Sequence, residues 1–311
     1  MIPFISRISA EEQTIWLEIL SPMMNDEVII PFSDLTEDEK LQCDVAIVAN
    51  PDPEDLRALP NLKWVQSLWA GVEKMMQELS SPSFSVVRLA TPDLSNTMSE
   101  AVLAWTLFLH RDMHIYAKQQ SHKVWRQHSM VVAKDRRIGV LGLGALGKAS
   151  AQRLVDNGFS VSGWSRNEKH IDNIECFYGE DGLACLLQKS DILICLLPLT
   201  NETNNLLNEQ TLSYLPVGAS IINFARGPIV DDAALLMKLE ERHLSHAILD
   251  VFMQEPLPES HPYWVNENVT VLPHISAPTN PYSTSNIVVE NINYYRKTGI
   301  IPPAVDSTQG Y

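Results

Sequence analysis

Residue types able to do chemistry concentrate in the second half of this 311-residue chain. Gly142, Gly144 and Gly147 spell G-x-G-x-x-G directly after the apolar run Arg137 to Leu141 and directly before a helical stretch beginning near Ala145. The first glycine permits a tight turn, the second lets a pyrophosphate approach the backbone, and the third allows close helix–strand packing. The helix N-terminus adds partial positive charge. Strand, glycines, helix and next strand fall in register, so Gly142, Gly144, Ala145, Leu146 and Gly147 read as a dinucleotide-binding loop. A plain left-handed turn at a helix start is the alternative. Three later segments also end apolar runs: FARG with Arg226, LDVFMQEP with Asp250 and Glu255, and LPHISA with His274. Ligands collect at such strand ends in open α/β sheets.

An NAD site ends its second strand with an acidic residue about twenty positions after the glycines, to hold the ribose 2′-hydroxyl. Here the strand ends Gly163-Trp164-Ser165-Arg166, without the acid. Ser165 and Arg166 suit a 2′-phosphate, so NADPH is expected, with NADH as the weaker alternative; a solvated arginine is the plain reading. Hydride delivered from a nicotinamide to a ketone carbon leaves an alkoxide, which needs a proton donor titrating near neutrality. His274 fits. A carboxylate on the other ring nitrogen, the role that suits Glu255, keeps the imidazole cationic. A planar cation such as Arg226 can hold a substrate carboxylate and polarise the keto oxygen. Taken singly, each has an ordinary alternative: His274 a core histidine, Glu255 a solvated turn residue, Arg226 a surface turn.

The elements that position these residues change in texture along the chain. The first half is punctuated by prolines, with short strand-like runs at Val45 to Ala49, Leu62 to Leu68 and Phe84 to Ala90. A long, mostly apolar helix is expected from Ser99 to Gln120, buried in a core or against a second subunit. From Arg137 the runs RIGVLGLG, FSVSGWS, DILICLLP, SIINFA, HAILDVF and NVTVLP alternate with amphipathic stretches, which implies parallel strands with right-handed crossovers. A last helix, Pro281 to Lys297, returns to the first domain. The expected fold is therefore α/β: a doubly wound, parallel, Rossmann-type nucleotide domain at 98–279 and a smaller flavodoxin-like α/β substrate domain at 1–97 and 280–311.

Composition is that of an ordinary globular protein, 45% hydrophobic and 20% charged. A formal net charge of −15 repels nucleic acid and anionic membranes, so an anionic ligand must be caught by a local cation. Cys43, Cys176, Cys185 and Cys195 lack metal or redox spacing and read as reduced core residues. His110, His114, His122 and His128 are assigned to surface or interface. His243 and His246 lack a third ligand nearby, so no metal is expected. With no leader-like or membrane-spanning run, a cytoplasmic address is expected.

GLGALG, WSR, LPLT, NFARG, DVF..EPLP and LPHISA occur in the order and approximate spacing of the D-isomer-specific 2-hydroxyacid dehydrogenases. The chain resembles that family over nearly its whole length, and within it the glyoxylate/hydroxypyruvate reductases of the A type. The resemblance implies a small 2-oxo acid substrate, Arg226 as the substrate arginine, and a homodimer. It also implies that SLWAGVE carries the carboxylate-binding loop, with Ala70, Gly71 and Val72 facing substrate through backbone N–H groups. Trp69 is bulkier than the small residue of many relatives and would favour two- or three-carbon acids, or else it packs between domains. Thr97, Met98 and Glu100 match the segment near the nicotinamide ribose, Leu197, Pro198 and Thr203 the loop beside the adenosine, and Asp250 a residue near the nicotinamide amide. Trp164, Phe224, Ala225 and Ala277 complete the cofactor contacts expected, with His274. The rival from another class is a nucleotide-sensing, corepressor-like binding protein on the same fold.

Overall fold

In the computed structural model, which describes residues 1–80 and 82–305, the chain divides into two compact units. One comprises Met1–Asp93 with Thr279–Tyr311, the other Leu94–Pro278. The end of the expected C-terminal segment, 306–311, lies outside the described residues.

The first unit is a five-stranded parallel sheet of β1 (Ile2–Ser6), β2 (Ile29–Pro31), β3 (Val45–Ala49), β4 (Trp64–Ser67) and β5 (Ser85–Val87), in the order β2-β1-β3-β4-β5. That order is flavodoxin-like. Every residue of the central β3 is buried, as a strand covered on both faces must be. Strands β3, β4 and β5 fall within the expected apolar runs; β1 and β2 were not expected, and each carries a proline, Pro3 or Pro31, a residue rare inside strands. The helices are α1 (Ala10–Leu20), α2 (Glu37–Lys40), α3 (Pro53–Arg57) and α4 (Glu73–Leu79). Ser9 and Glu12 form a reciprocal capping box that starts α1. The C-terminal helix Pro281–Thr298 seats Val288, Ile292 and Tyr295 in the core beside Phe4, Ile47 and Trp64. Polar pins fix its rotation: Asn291 donates to Gln66 Oε1 at 2.8 Å, and the Tyr295 hydroxyl donates to Asp44 at 2.9 Å.

The second unit is a seven-stranded parallel sheet: β6 (Arg137–Leu141), β7 (Ser160–Ser165), β8 (Glu175–Tyr178), β9 (Ile192–Cys195), β10 (Ala219–Asn223), β11 (Leu244–Leu249) and β12 (Val269–Val271). Its order, β12-β11-β10-β9-β6-β7-β8, is the doubly wound Rossmann order with one further strand, and the switch point lies between β6 and β9. Edge strand β8, ECFY, was not anticipated, since no residue of it is buried and it carries no apolar run. Its helices are α5 (Pro92–His110, with its body in this unit), α6 (Met113–Ser121), α7 (Ala145–Asp156), α8 (Gly179–Gln188), α9 (Glu209–Leu212) and α10 (Asp232–Glu240). Among the described residues no helix is long and apolar enough to cross a membrane.

Three expectations need correction. The single long helix is two, α5 and α6, because Asp112 takes a left-handed conformation (φ 55°) that a short polar side chain tolerates. His110 and His114 are buried rather than at the surface. The turn at Asp112 folds the His114 ring to 4.6 Å from His246 and 6.1 Å from Phe108, while His110 meets the Phe159 ring at 5.1 Å. Of the cysteines, Cys43 and Cys195 are core residues, but Cys176 is half-buried and Cys185 exposed.

The His114–His246 contact has a thermodynamic consequence. Burial holds both imidazoles below their ordinary value of 6.5, His114 at about 4 and His246 at about 3, with nearby Lys118 acting in the same direction on both. The unfolded chain therefore takes up protons that the native chain refuses, and stability is lost as pH falls from 6.5 toward those values. Each ring is expected to remove about 1.4 kcal/mol per pH unit inside its window. Urea unfolding at pH 7 and pH 5 checks this: a His114→Phe, His246→Leu double variant should lose visibly less stability than wild type, and an unchanged slope would exclude these rings as the source.

Candidate active site

At the switch point β6 ends at Leu141, and Gly142 turns the chain with φ 97° while its N–H donates to the Trp164 carbonyl at 2.9 Å. A β-carbon on Gly142 would lie 2.7 Å from the Leu196 carbonyl oxygen, and one on Gly147 would lie 1.7 Å from that of Gly142. Neither position admits a side chain. Gly144 instead faces open space, with nothing within 4 Å of where a β-carbon would be, and as N-cap of α7 it offers no side chain to the helix's first N–H groups. Those donors, together with exposed Ala145 and half-buried Leu146, fit a pyrophosphate.

After β7, Arg166 is exposed, whereas Ser165 is buried and its hydroxyl donates to the Asn167 carbonyl at 2.8 Å. The Lys169 ammonium donates to the Leu143 carbonyl at 2.7 Å, tying this segment to the glycine turn. That cation was missed by the sequence reading, although it stands three residues after Arg166 in WSRNEK. The Trp164 indole lies in the hydrophobic core and donates to the Gly179 carbonyl at 2.8 Å, while its backbone carbonyl accepts the Gly142 N–H at the turn. The loop after β9 lies alongside, because Leu196 N–H donates to the Leu141 carbonyl at 2.8 Å. In that loop Leu197 is buried, and the Thr203 hydroxyl holds the Pro198 carbonyl at 2.7 Å.

Arg226, Glu255 and His274 follow β10, β11 and β12, which are neighbours in the sheet, so three residues distant in sequence meet at one edge. Arg226 is extended (φ −144°, ψ 145°), and its Nη1 donates to the Ala225 carbonyl at 2.6 Å. His274 has φ 55°, a sparsely populated conformation for a residue with a side chain, and its Nδ1 lies 2.7 Å from Glu255 Oε2. Glu255 Oε1 accepts the Phe252 N–H at 3.0 Å. The hydrogen bond to Glu255 raises the His274 imidazole above its ordinary 6.5; burial and the Arg226 charge oppose the rise. Burial works to raise the Glu255 carboxyl, but the bonds from His274 and Phe252, with the Arg226 charge, hold it below 4.5. With Nδ1 engaged and the His274 side chain 56% exposed, Nε2 is the nitrogen that can pass a proton to a reactant.

Buried Asp250 accepts Ile275 N–H at 2.7 Å and Ser276 N–H at 2.9 Å, one on each carboxylate oxygen. It thereby fastens the segment that carries His274, a function the sequence reading did not foresee. Met98, Phe224 and Ala225 are buried and Ala277 half-buried. In the first unit, Ala70, Gly71 and Val72 connect β4 to α4. Trp69 is partly buried there, edge-on to Trp16 at 6.0 Å, with its backbone N–H donating to Ser67 Oγ at 3.0 Å. His243 and His246 turn to separate partners, the Leu212 carbonyl and the Thr270 hydroxyl, and among the described residues no group of three or more His, Cys, Asp or Glu is placed to hold a metal.

The fold and this strand-end site define an NAD(P)-dependent oxidoreductase. Residues 103–276 match the family model described as D-isomer specific 2-hydroxyacid dehydrogenase, NAD binding domain. A protein of Photorhabdus laumondii named glyoxylate/hydroxypyruvate reductase A is 38% identical over 274 residues, 86% of this chain and 88% of that one. A solved D-isomer specific 2-hydroxyacid dehydrogenase from Xanthobacter autotrophicus, in complex with NADPH and MES, is 35% identical with a TM-score of 0.91, covering 100% of this chain and 99% of the other. The NADPH-dependent glyoxylate/hydroxypyruvate reductase of Sinorhizobium meliloti, in complex with NADP and sulfate, is 29% identical with the same score and the same coverage. The chain belongs to the D-isomer specific 2-hydroxyacid dehydrogenases and is an NAD(P)-dependent enzyme of that family.

The His274–Glu255 pair can be examined without any substrate. Because the folded imidazole titrates above 6.5, its contribution to stability is present below that value and lost as pH rises through the raised one. The contribution of Glu255 is lost as pH falls through its depressed one. Both side chains meet water, so the net effect on stability is small. Glu255→Gln should bring the His274 titration down toward or below 6.5, read by NMR of the imidazole ring. An unshifted curve would show that the carboxylate does not hold the proton.

Proposed function

We propose that this enzyme reduces glyoxylate or hydroxypyruvate to the 2-hydroxy acid with NADPH. The observation that carries the reading is the 2.7 Å His274–Glu255 pair standing where the Arg226 charge also acts. Gly142, Gly144, Ala145, Leu146 and Gly147 hold the pyrophosphate, and Arg166 and Lys169 answer the 2′-phosphate. When bound, the reduced nicotinamide supplies a hydride to the carbonyl carbon. Arg226 grips the substrate carboxylate and draws charge toward the keto oxygen. His274, kept cationic by Glu255, gives its proton to the developing alkoxide. Asp250 is committed to the 275–276 backbone and holds the acid in place.

In this reading 98–279 bind the nucleotide, while 1–97 and 280–311 carry the substrate loop. There Ala70, Gly71 and Val72 offer backbone N–H groups, and Trp69 limits the acid to two or three carbons. The relatives' names and the NADPH and NADP in solved neighbours support the choice of substrate and cofactor. A homodimer is part of the reading, favoured by Leu107, Met113, Trp125 and Met130, all exposed, on and after α5 and α6; sedimentation checks it. The free cysteines and the use of NADPH suit the cytoplasm, which fractionation of the native host tests.

Arg166→Asp should raise KM for NADPH far more than KM for NADH, since the 2′-phosphate loses a cation and meets a like charge. Equal effects on both cofactors, or a wild type that prefers NADH, would sink the cofactor assignment. Arg226→Lys keeps the charge but not the two oriented donors, and should cost about a hundredfold to a thousandfold in kcat/KM, by analogy with loss of an oxyanion donor. Steady-state kinetics with glyoxylate, hydroxypyruvate and pyruvate settle both points. A loss within about threefold for Arg226→Lys would remove Arg226 from substrate binding.

A further inference from the structure

Asn223 is the last residue of β10, it is 1% exposed, and nothing in its motif marked it as more than a neighbour of Arg226. Its side chain bridges the turn that follows: Oδ1 accepts the Ala225 N–H at 3.1 Å and Nδ2 donates to the Arg226 carbonyl at 3.1 Å. Its own carbonyl accepts the Asp250 N–H, also at 3.1 Å. One residue is thus bonded to the backbone on both sides of the 225–226 peptide link and to the residue that fastens the His274 segment. Just beyond, a β-carbon on Gly227 would lie 2.0 Å from the Phe252 carbonyl carbon, so the turn is pressed against the residue whose N–H holds Glu255.

We propose that Asn223 is a positioning residue for the reaction, setting the direction of the Arg226 guanidinium through the turn that its side chain bridges. The inference rests on the reading of Arg226 as the substrate anchor. An amide is the side chain that accepts at one atom and donates at the next with this reach. A carboxylate in the same shape sets an acceptor against the Arg226 carbonyl oxygen, and serine is too short to span both groups. The chemistry is unchanged by the substitution; what moves is the aim of a bidentate donor, where displacements of an ångström matter.

The test is Asn223→Asp beside Asn223→Ser, with Arg226→Lys as reference. At pH 8, Asn223→Asp should lower kcat/KM for glyoxylate by about tenfold to a hundredfold, mainly through KM, with the NADPH dissociation constant close to wild type. As pH falls, the introduced carboxyl, which shares its surroundings with Arg226, Asp250 and Cys195, takes a proton and again has a hydrogen to donate. The ratio of variant to wild-type kcat/KM then rises for Asn223→Asp and stays flat for Asn223→Ser. Thermal unfolding of both variants accompanies the kinetics, because a loss of stability alone does not produce that pH-dependent recovery. Asn223→Asp activity within threefold of wild type at pH 8, or a deficit that is flat with pH and matched by weaker NADPH binding, overturns the proposal. Wild-type protein that turns over no 2-oxo acid defeats the parent reading instead, and Arg226→Lys with normal kinetics defeats only the anchor on which this inference stands.

Discussion

Parallel strands held in register impose the constraint from which the site follows. A strand that returns by a crossover must enter and leave the sheet in the same sense as its neighbour, so every connection at the carboxyl end lies on the same side. In the second unit β10, β11 and β12 are adjacent, with Asn223 paired to Leu249 and Leu249 to Val271. The segments just past those residues carry Arg226, Asp250 with Glu255, and His274. The same rule at the switch point sets the glycine turn after β6 beside the loop after β9. Burial of β10 and of nearly all of β11 helps keep this register fixed, since a slip would move packed apolar side chains out of their places in the core.

On that platform, backbone groups do much of the positioning. Asp250 spends both carboxylate oxygens on the N–H groups of Ile275 and Ser276, which keeps His274 in a left-handed conformation the chain would otherwise avoid. Glu255 divides its two oxygens between the Phe252 N–H and the His274 ring. Each carboxylate therefore has one structural and one electrostatic effect. Holding the peptide fixes the loop, and holding charge close to His274 favours the imidazolium.

The histidines show how burial sorts identical side chains. His274 gains a carboxylate partner and titrates high, whereas His114 and His246 face each other inside the second unit and titrate low. Three of their four ring nitrogens have no hydrogen-bond partner among the described residues. A protonated ring there would add a charge with no counterion in contact, so burial disfavours the charged form in this pair, whereas the Glu255 bond favours it at His274.

Much of this was legible in the sequence, because it depends on local pattern. The G-x-G-x-x-G turn, the start of α7 at Ala145, the end of β7 at Ser165 and the three strand-end motifs are set by residues close together in the chain, where glycine geometry and apolar runs dictate conformation. Other features were decided only by tertiary structure. Strands β1 and β2 form despite Pro3 and Pro31 because partner strands supply the ladder, and α5 and α6 separate at Asp112 because the turned chain buries His114. The Trp164 indole turns into the core, where the Gly179 carbonyl offers it an acceptor. The duties of Asn223 and Asp250 were likewise hidden, although both letters stand in recognised motifs. The Asp250 carboxylate reaches Ile275 and Ser276 only once the sheet closes, and the main-chain carbonyl of Asn223 meets the Asp250 N–H in the same way, whereas the Asn223 side chain braces the turn two and three residues on. Spacing fixes which residues can turn or pair locally, whereas the direction of a buried side chain depends on which unpaired backbone groups the finished core brings within reach.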